Sequence, residues 1–223
     1  MATPIPSTPD AAVAATATSG APTSEEEQEE EEQPVPPPVR PRALIVVGDG
    51  SEEMEVLTLS DILTLGGMHV TLGALGRKPM NIVEGSFGMR IHADKSIEES
   101  SYGTFELIVL PGGPGAEHYC DSELLKKMMS WHKQDGRWLA ASSNAPARVL
   151  YPLDLLQGQA TCSPDCKHLM PECYVDARVV VSGNVVTSKG PGTAIQFALT
   201  LVKLLYSEDE ASRIASNLCF PWP

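Results

Sequence analysis

No apolar run in this chain reaches the length of about 18 residues that a bilayer-crossing helix needs, so a membrane-spanning helix is not expected. Basic clusters are missing too. Sixteen Lys and Arg face 29 Asp and Glu, a net charge of −13, and no Lys/Arg patch exists to neutralise phosphates. This argues against nucleic acid and anionic membrane surfaces as direct partners. The N-terminus shows neither a basic n-region nor an apolar h-region, and it lacks the arginines of a mitochondrial presequence. A plastid transit peptide fits its Ala/Ser/Thr content, but the early prolines and acidic run fit one poorly. The five cysteines are an odd number in a chain without a signal, so reduced thiols and a cytoplasmic location are expected.

What is present divides the chain in two. Residues 1–41 hold nine of the 19 prolines, an Ala/Thr/Ser run from Ala11 to Ser24 and seven glutamates between Glu25 and Glu32, with no aromatic residue. Such a segment cannot bury enough apolar surface to offset its ordering entropy, so a disordered acidic tail is expected. It carries eight acids against Arg40, or −7, while residues 42–223 carry 21 acids and 15 bases, or −6. The tail reads as a solubilising extension or as a docking site for a basic partner. One globular domain is expected over 42–223.

Within that domain, short β-branched runs alternate with helical patterns. Arg42–Val47 is unbroken and apolar, as a strand covered on both faces should be. A helix follows, capped by Ser51, acidic in its first turn at Glu52, Glu53 and Glu55, and running to Leu65. Its apolar residues cover more than one stripe, which suggests a subunit contact through residues 52–65. Strands are expected over His69–Leu75, Phe105–Leu110, Trp138–Ala141, Asp176–Val181 and Val185–Ser188, with a hairpin around Gly85 and Gly88. Further helices are expected over about 121–134, from Pro146 to about Leu156, after Gly192 and over about 208–217. Strands and helices in this order make an α/β fold with a doubly wound, mostly parallel sheet between helices.

The central stretch is Trp138-Leu-Ala-Ala-Ser-Ser-Asn-Ala-Pro146, a buried strand turning sharply into a helix that tolerates proline in its first turn. Small residues lie two before and two after Ser143, the steric requirement of a nucleophile elbow, with alanine where glycine is usual. A serine there points into a crevice above the sheet, with the Asn144 N–H available to an oxyanion. Helix capping by Ser142, Ser143 or Asn144, without chemistry, is the plainer alternative. Pro111-Gly-Gly-Pro-Gly115 forms a second ligand-approachable turn at the carboxyl end of a strand.

Four pieces stand in a fixed order: the Gly-Ser-Glu-Glu-Met-Glu55 helix start, the Leu-Pro-Gly-Gly113 turn, the elbow before Pro146, and Thr187-Ser-Lys-Gly-Pro-Gly-Thr193. In that order the chain, from Arg42 to about Tyr206, resembles the DJ-1/ThiJ/PfpI superfamily, class I glutamine amidotransferase-like proteins, and its DJ-1 branch most. The resemblance implies a flavodoxin-like sandwich, a homodimer using the first helix, and chemistry of the glyoxalase, deglycase and oxidative-stress-response kind. It also implies a cysteine at the elbow, assisted by a glutamate, an oxyanion turn and a nearby histidine. Those positions fall on Ser143, Glu55, Gly112 with Gly113, and Ser163 within Thr161-Cys-Ser-Pro164. Gly190 and Pro191 fall on the crevice lining. Two departures result, Ser143 for cysteine and Ser163 for histidine.

A thiol titrates near pH 8.5, so a helix end can hold it as thiolate; a serine hydroxyl needs a partnered base. Sulfinate formation is closed to a hydroxyl. Replacements are conceivable: His118 near the crevice or at a surface helix start, Cys162 as displaced thiol or simple packing residue, and Glu55 as base. Cys162, Cys166, His168 and Cys173 fit no zinc spacing, so no metal is expected, and neither is a cofactor. Three functions remain: a degenerate crevice that binds a small carbonyl or carboxylate metabolite or a protein, a Ser143-dependent hydrolase or glyoxalase-type enzyme, and a chaperone-like or interaction role.

Overall fold

Arg42–Val47 forms β1 and the chain then enters α1, Glu53–Leu65, before returning parallel to it as β2, His69–Ala74. The computed structural model describes residues 40–76 and 79–222. All of the acidic tail except Arg40 and Pro41 therefore lies outside the described residues. A hairpin of β3, Ile82–Glu84, and β4, Arg90–His92, precedes the two-residue β5, Lys95–Ser96, and the short helix α2, Ile97–Ser100. β6 is Leu107–Leu110, α3 Glu123–Gln134 and β7 Trp138–Ser142. The antiparallel pair β8, Val179–Ser182, and β9, Val185–Ser188, leads to α4, Ala194–Leu205, and α5, Glu208–Asn217.

The sheet runs β5-β2-β1-β6-β7-β9-β8 with every pair parallel except β8 with β9. Alternation along β1 sorts its side chains between two cores. Ala43, Ile45 and Val47 join Val56, Leu59 and Leu63 of α1 and Phe197 and Val202 of α4 on one face. Leu44 and Val46 join Tyr119, Leu125, Met129 and Val149 on the other. Both faces are covered, which is why Ala43–Val47 of β1, β6, and β7 as far as Ala141 read as unbroken apolar runs instead of alternating ones, and why Thr187 and Ser188 of β9 are buried as well. This is the flavodoxin-like α/β sandwich. Among the described residues no helix is long and apolar enough to cross a membrane.

Several expected boundaries move. Glu52 caps α1, accepting the Glu55 N–H at 2.7 Å, while Ser51 turns inward to accept the Gly48 N–H at 2.9 Å. The elbow helix is a single wide turn, Pro146–Leu150, and does not reach Leu156. Pro152 has no N–H to continue it, and Asp154 takes a left-handed φ of 52°. A 3₁₀ segment, Pro114–Asp121, precedes α3, whose cap is Ser122. β6 starts at Leu107 and β8 at Val179, both later than the apolar patterns suggest. α1 leaves Met54, Leu57 and Leu65 between 46% and 59% exposed, beyond the stripe that the core uses.

Candidate functional site

β7 carries the chain up through the sheet and ends at Ser142; the next residue, Ser143, takes φ of 55°. That left-handed backbone is costly for a residue with a Cβ and marks a strained turn, here held from both sides. The Ser143 N–H donates to the Ser188 carbonyl at the end of β9, and its carbonyl accepts the Ser163 N–H at 2.8 Å. Close approach fixes the neighbour's identity: a Cβ on Gly112 would stand 2.3 Å from the Ser143 Cβ. Only glycine fits there.

Glu55, in the first turn of α1, is wholly buried and accepts three hydrogen bonds. The Gly112 N–H reaches its Oε2 at 2.6 Å, the Ser142 hydroxyl the same oxygen at 2.6 Å, and the Ser143 hydroxyl its Oε1 at 2.5 Å. Three donors thus replace the water that burial removes from the carboxyl group. The elements that bring them are locked together, since the Glu52 N–H donates to the Gly112 carbonyl at 2.9 Å.

The Gly112–Gly113 turn, where the resemblance puts an oxyanion, is occupied from within. Asn144 donates from Nδ2 to the Gly113 carbonyl at 2.9 Å and accepts the Gly113 N–H on Oδ1 at 3.1 Å. Gly112 and Gly113 therefore both direct their N–H groups to protein acceptors, Glu55 and Asn144. An incoming carbonyl oxygen would have to displace one of them.

A cavity of about 390 Å³ opens above Ser143, lined by Gly113, Asn144, Ser163 and three carboxylates, Glu52, Glu117 and Asp165. Burial, followed by the nearby charges of Glu55 and Glu53, holds the Glu52 carboxyl above its ordinary range. Glu117 is partly neutralised by Arg148 at 3.0 Å. No imidazole lines the cavity. Ser163 stands where the resemblance puts a histidine, and its buried Oγ has no hydrogen-bond partner among the described residues.

Three residues expected at the crevice lie elsewhere. The His118 side chain is 69% exposed, sits 3.3 Å from Asp121 and faces a different cavity, beside Asp49 and Leu75. The reason is its place in the 3₁₀ segment, which turns the ring outward. Cys162 is fully buried among Ala160, Cys166 and Met170, and that burial, with Cys166, Asp165 and Cys173 adding smaller effects, raises its thiol to about 12. It is a packing residue with no useful thiolate. Pro191 starts a 3₁₀ turn, Pro191–Thr193, outside the cavity lining; Gly190 does not line the cavity either but stands beside Ser143, where a Cβ would be 3.6 Å from its Oγ. Among the described residues no group of three or more His, Cys, Asp or Glu is placed to hold a metal ion.

Sequence reasoning missed Ser142 as a ligand of Glu55, the Asn144 side chain, and the acidic lining. The adjacent serines were the one available signal. Glu117 and Asp165 sit in no recognisable pattern and are joined to the crevice by the fold alone.

Comparison with known proteins bears on this geometry. The DJ-1/PfpI family model matches residues 41–204. Protein DJ-1 homolog B of Arabidopsis thaliana is 35% identical over 178 residues, which is 78% of this chain and 40% of that protein. The chain thus spans less than half the length of this plant relative. The glutathione-independent glyoxalase DJR-1.2 of Caenorhabditis elegans is 30% identical over 179 residues, 79% of this chain and 94% of that one. Among solved structures, oxidized Toxoplasma gondii DJ-1 superposes with a TM-score of 0.78 at 35% identity, covering 81% of this chain and 99% of that one. Drosophila melanogaster DJ-1beta gives 0.77 at 30%, covering 82% and 100%. With the family model spanning residues 41–204, and the strained elbow, buried glutamate and Gly-Gly turn all assembled at the carboxyl end of the central strands β6 and β7, this chain belongs to the DJ-1/PfpI family.

Proposed function

We propose that this chain is a DJ-1/PfpI protein whose crevice has lost the family's thiol chemistry and retains a binding role toward a small carbonyl compound. The observation that carries this reading is the double occupancy of the oxyanion turn, Gly112 by Glu55 and Gly113 by Asn144. Ser143 stands at the position where the resemblance puts cysteine, and no imidazole takes up a proton beside it. Three carboxylates line the cavity, so a neutral carbonyl suits it better than a carboxylate metabolite.

Incubating the purified protein and Ser143→Ala with methylglyoxal tests the idea. Neither should turn it over, while titration calorimetry should record binding to both. Turnover by the native chain that vanishes in Ser143→Ala would sink this reading.

That second outcome would favour a Ser143-dependent hydrolase or glyoxalase-type enzyme, which one distance supports. With Ser143 Oγ 2.5 Å from Glu55 Oε1, attack on a substrate carbonyl carbon could pass the hydroxyl proton to that carboxylate. The resulting oxyanion would take the Asn144 backbone N–H, and the Gly113 N–H only once the Asn144 side chain releases it. A chaperone-like or interaction role, with the acidic tail as docking element, is tested by deleting residues 1–41 and measuring partner capture.

The same proposal includes a homodimer through α1, supported by its exposed Met54, Leu57 and Leu65, and a cytoplasmic location, supported by the free cysteines.

A further inference from the structure

The crevice above Ser143 has a neighbour. A second hollow, about 470 Å³, shares Glu117 with it, and the same three segments wall both. The 3₁₀ segment Pro114–Asp121 gives Pro114 to the crevice and Glu117 to the two together. The elbow gives Ser143 and Asn144 to the crevice, then Ala147, Arg148 and Tyr151 to the hollow. The loop that follows gives Ser163 and Asp165 to the one and Leu169 to the other.

The two are therefore halves of one groove. Asn144, Arg148 and Tyr151 recur at spacings of four and three, so they share one face of the elbow turn, where the Arg148 N–H donates to the Asn144 carbonyl at 2.9 Å. At about 5.4 Å per turn, Tyr151 stands roughly 10 Å beyond the elbow. Chemistry changes along that length. Glu52, Glu117 and Asp165 surround the Ser143 end. Past Glu117, the one further charged residue in the lining is Arg148, and Glu117 pairs with it at 3.0 Å while both side chains stay about half exposed. What remains at the far end is apolar or aromatic: Ala147, Tyr151 and Leu169 belong to the cluster around Cys162, Cys166 and Met170.

An acid-ringed end joined to an apolar one whose charges cancel suits a ligand with an uncharged polar head and an apolar chain. Resting on the reading that the crevice takes a carbonyl compound, we propose that its ligand is a medium-chain alkyl aldehyde or ketone. The carbonyl sits at Ser143, and the chain runs past the Glu117–Arg148 pair onto Tyr151 and Leu169. A two- or three-carbon compound fills only the near half, and a fatty acid would set its carboxylate among three others.

Octan-2-one serves as the probe and butan-2-one as its short counterpart, followed by nuclear magnetic resonance on the backbone amides of the full chain. Octan-2-one should shift Gly113 and Asn144 together with Ala147, Tyr151 and Leu169; butan-2-one should shift the first pair alone. A methylene wholly removed from water is worth about fourfold in affinity, so four of them half-covered in an open groove should tighten binding about tenfold. Octanoate should bind about tenfold more weakly than octan-2-one. In Leu169→Gln and in Tyr151→Ser, each checked for folding by thermal unfolding, the preference for octan-2-one should shrink to about threefold. Butan-2-one that shifts neither Gly113 nor Asn144 would remove the carbonyl reading of the crevice and this proposal with it. Butan-2-one seated there with octan-2-one no tighter, octan-2-one shifts confined to one half, octanoate binding as tightly, or a preference untouched by both variants would overturn the groove alone.

Discussion

Asn144 and Gly113 hold each other through two hydrogen bonds, the carboxamide of one meeting the peptide group of the other at 2.9 and 3.1 Å. The side chain satisfies the very N–H that would otherwise face a ligand oxygen. It fills from within the place where the family resemblance puts an oxyanion, one residue after Ser143.

Releasing that N–H should change how a thiol behaves at the elbow. In Ser143→Cys the sulfur meets a closed turn; in Ser143→Cys with Asn144→Ala it gains a donor that favours thiolate. Iodoacetamide should alkylate the double variant about tenfold faster at pH 7, and peroxide should convert it to sulfinate more readily. Equal rates would show that the Asn144 clasp does not control the site.

Removing Glu55 should damage the fold as well as the crevice. Glu55→Ala leaves the Gly112 N–H and the Ser142 and Ser143 hydroxyls buried with no acceptor, at about 1 to 3 kcal/mol for each group that fails to find another. A loss of about 3 kcal/mol in urea unfolding is expected, and a smaller one for Glu55→Gln, which keeps an acceptor oxygen. Similar losses for the two would deny the network its role.

Gly112→Ala is expected to be worse tolerated than its size suggests. Its Cβ would stand 2.3 Å from that of Ser143, and both atoms belong to backbone turns that cannot swing aside. A destabilisation of about 3 kcal/mol, measured by the unfolding midpoint, is expected. Gly76→Ala, where no atom lies within 4 Å, tests backbone strain alone at φ of 81°.

His132 gives stability a defined pH dependence. Its folded pKa of about 4 lies below the ordinary 6.5, so the unfolded chain takes up a proton first as pH falls. The contribution is complete above pH 6.5 and is lost between there and about pH 4, roughly 3 kcal/mol in all. Chemical unfolding at pH 7 and pH 5 should show a smaller loss in His132→Gln than in the native chain. Parallel losses in the two would remove His132 as the cause.

The exposed side of α1 should govern self-association. Leu57, 50% exposed, is expected to be buried in the dimer, so Leu57→Glu should shift sedimentation toward monomer while leaving the circular dichroism spectrum unchanged. A native chain that is already monomeric would remove the dimer from the proposed function.

Much of the architecture could be read from residue order. β1 lies over Arg42–Val47 and α5 over Glu208–Asn217, the same bounds that hydrophobic patterning and capping residues suggest, because local sterics and burial period act within a few residues. The short Pro146–Leu150 turn was less legible, since the apolar pattern continues past the point where Pro152 and Asp154 end the helix.

By itself the sequence determined the alternation of strands and helices, the sharp turn after the Trp138–Ala141 run and the serine, not cysteine, at position 143; the places of Glu55 and the Gly-Gly turn came from the family resemblance. Only the tertiary structure decided which groups are already spent. Ser143 and Glu55 are 88 positions apart, Gly113 and Asn144 31, and a hydrogen bond across such spans depends on sheet order and side-chain direction, which no local pattern encodes. The same holds for His132, whose orphaned nitrogen exists because the loops entering β6 and β7 close around it.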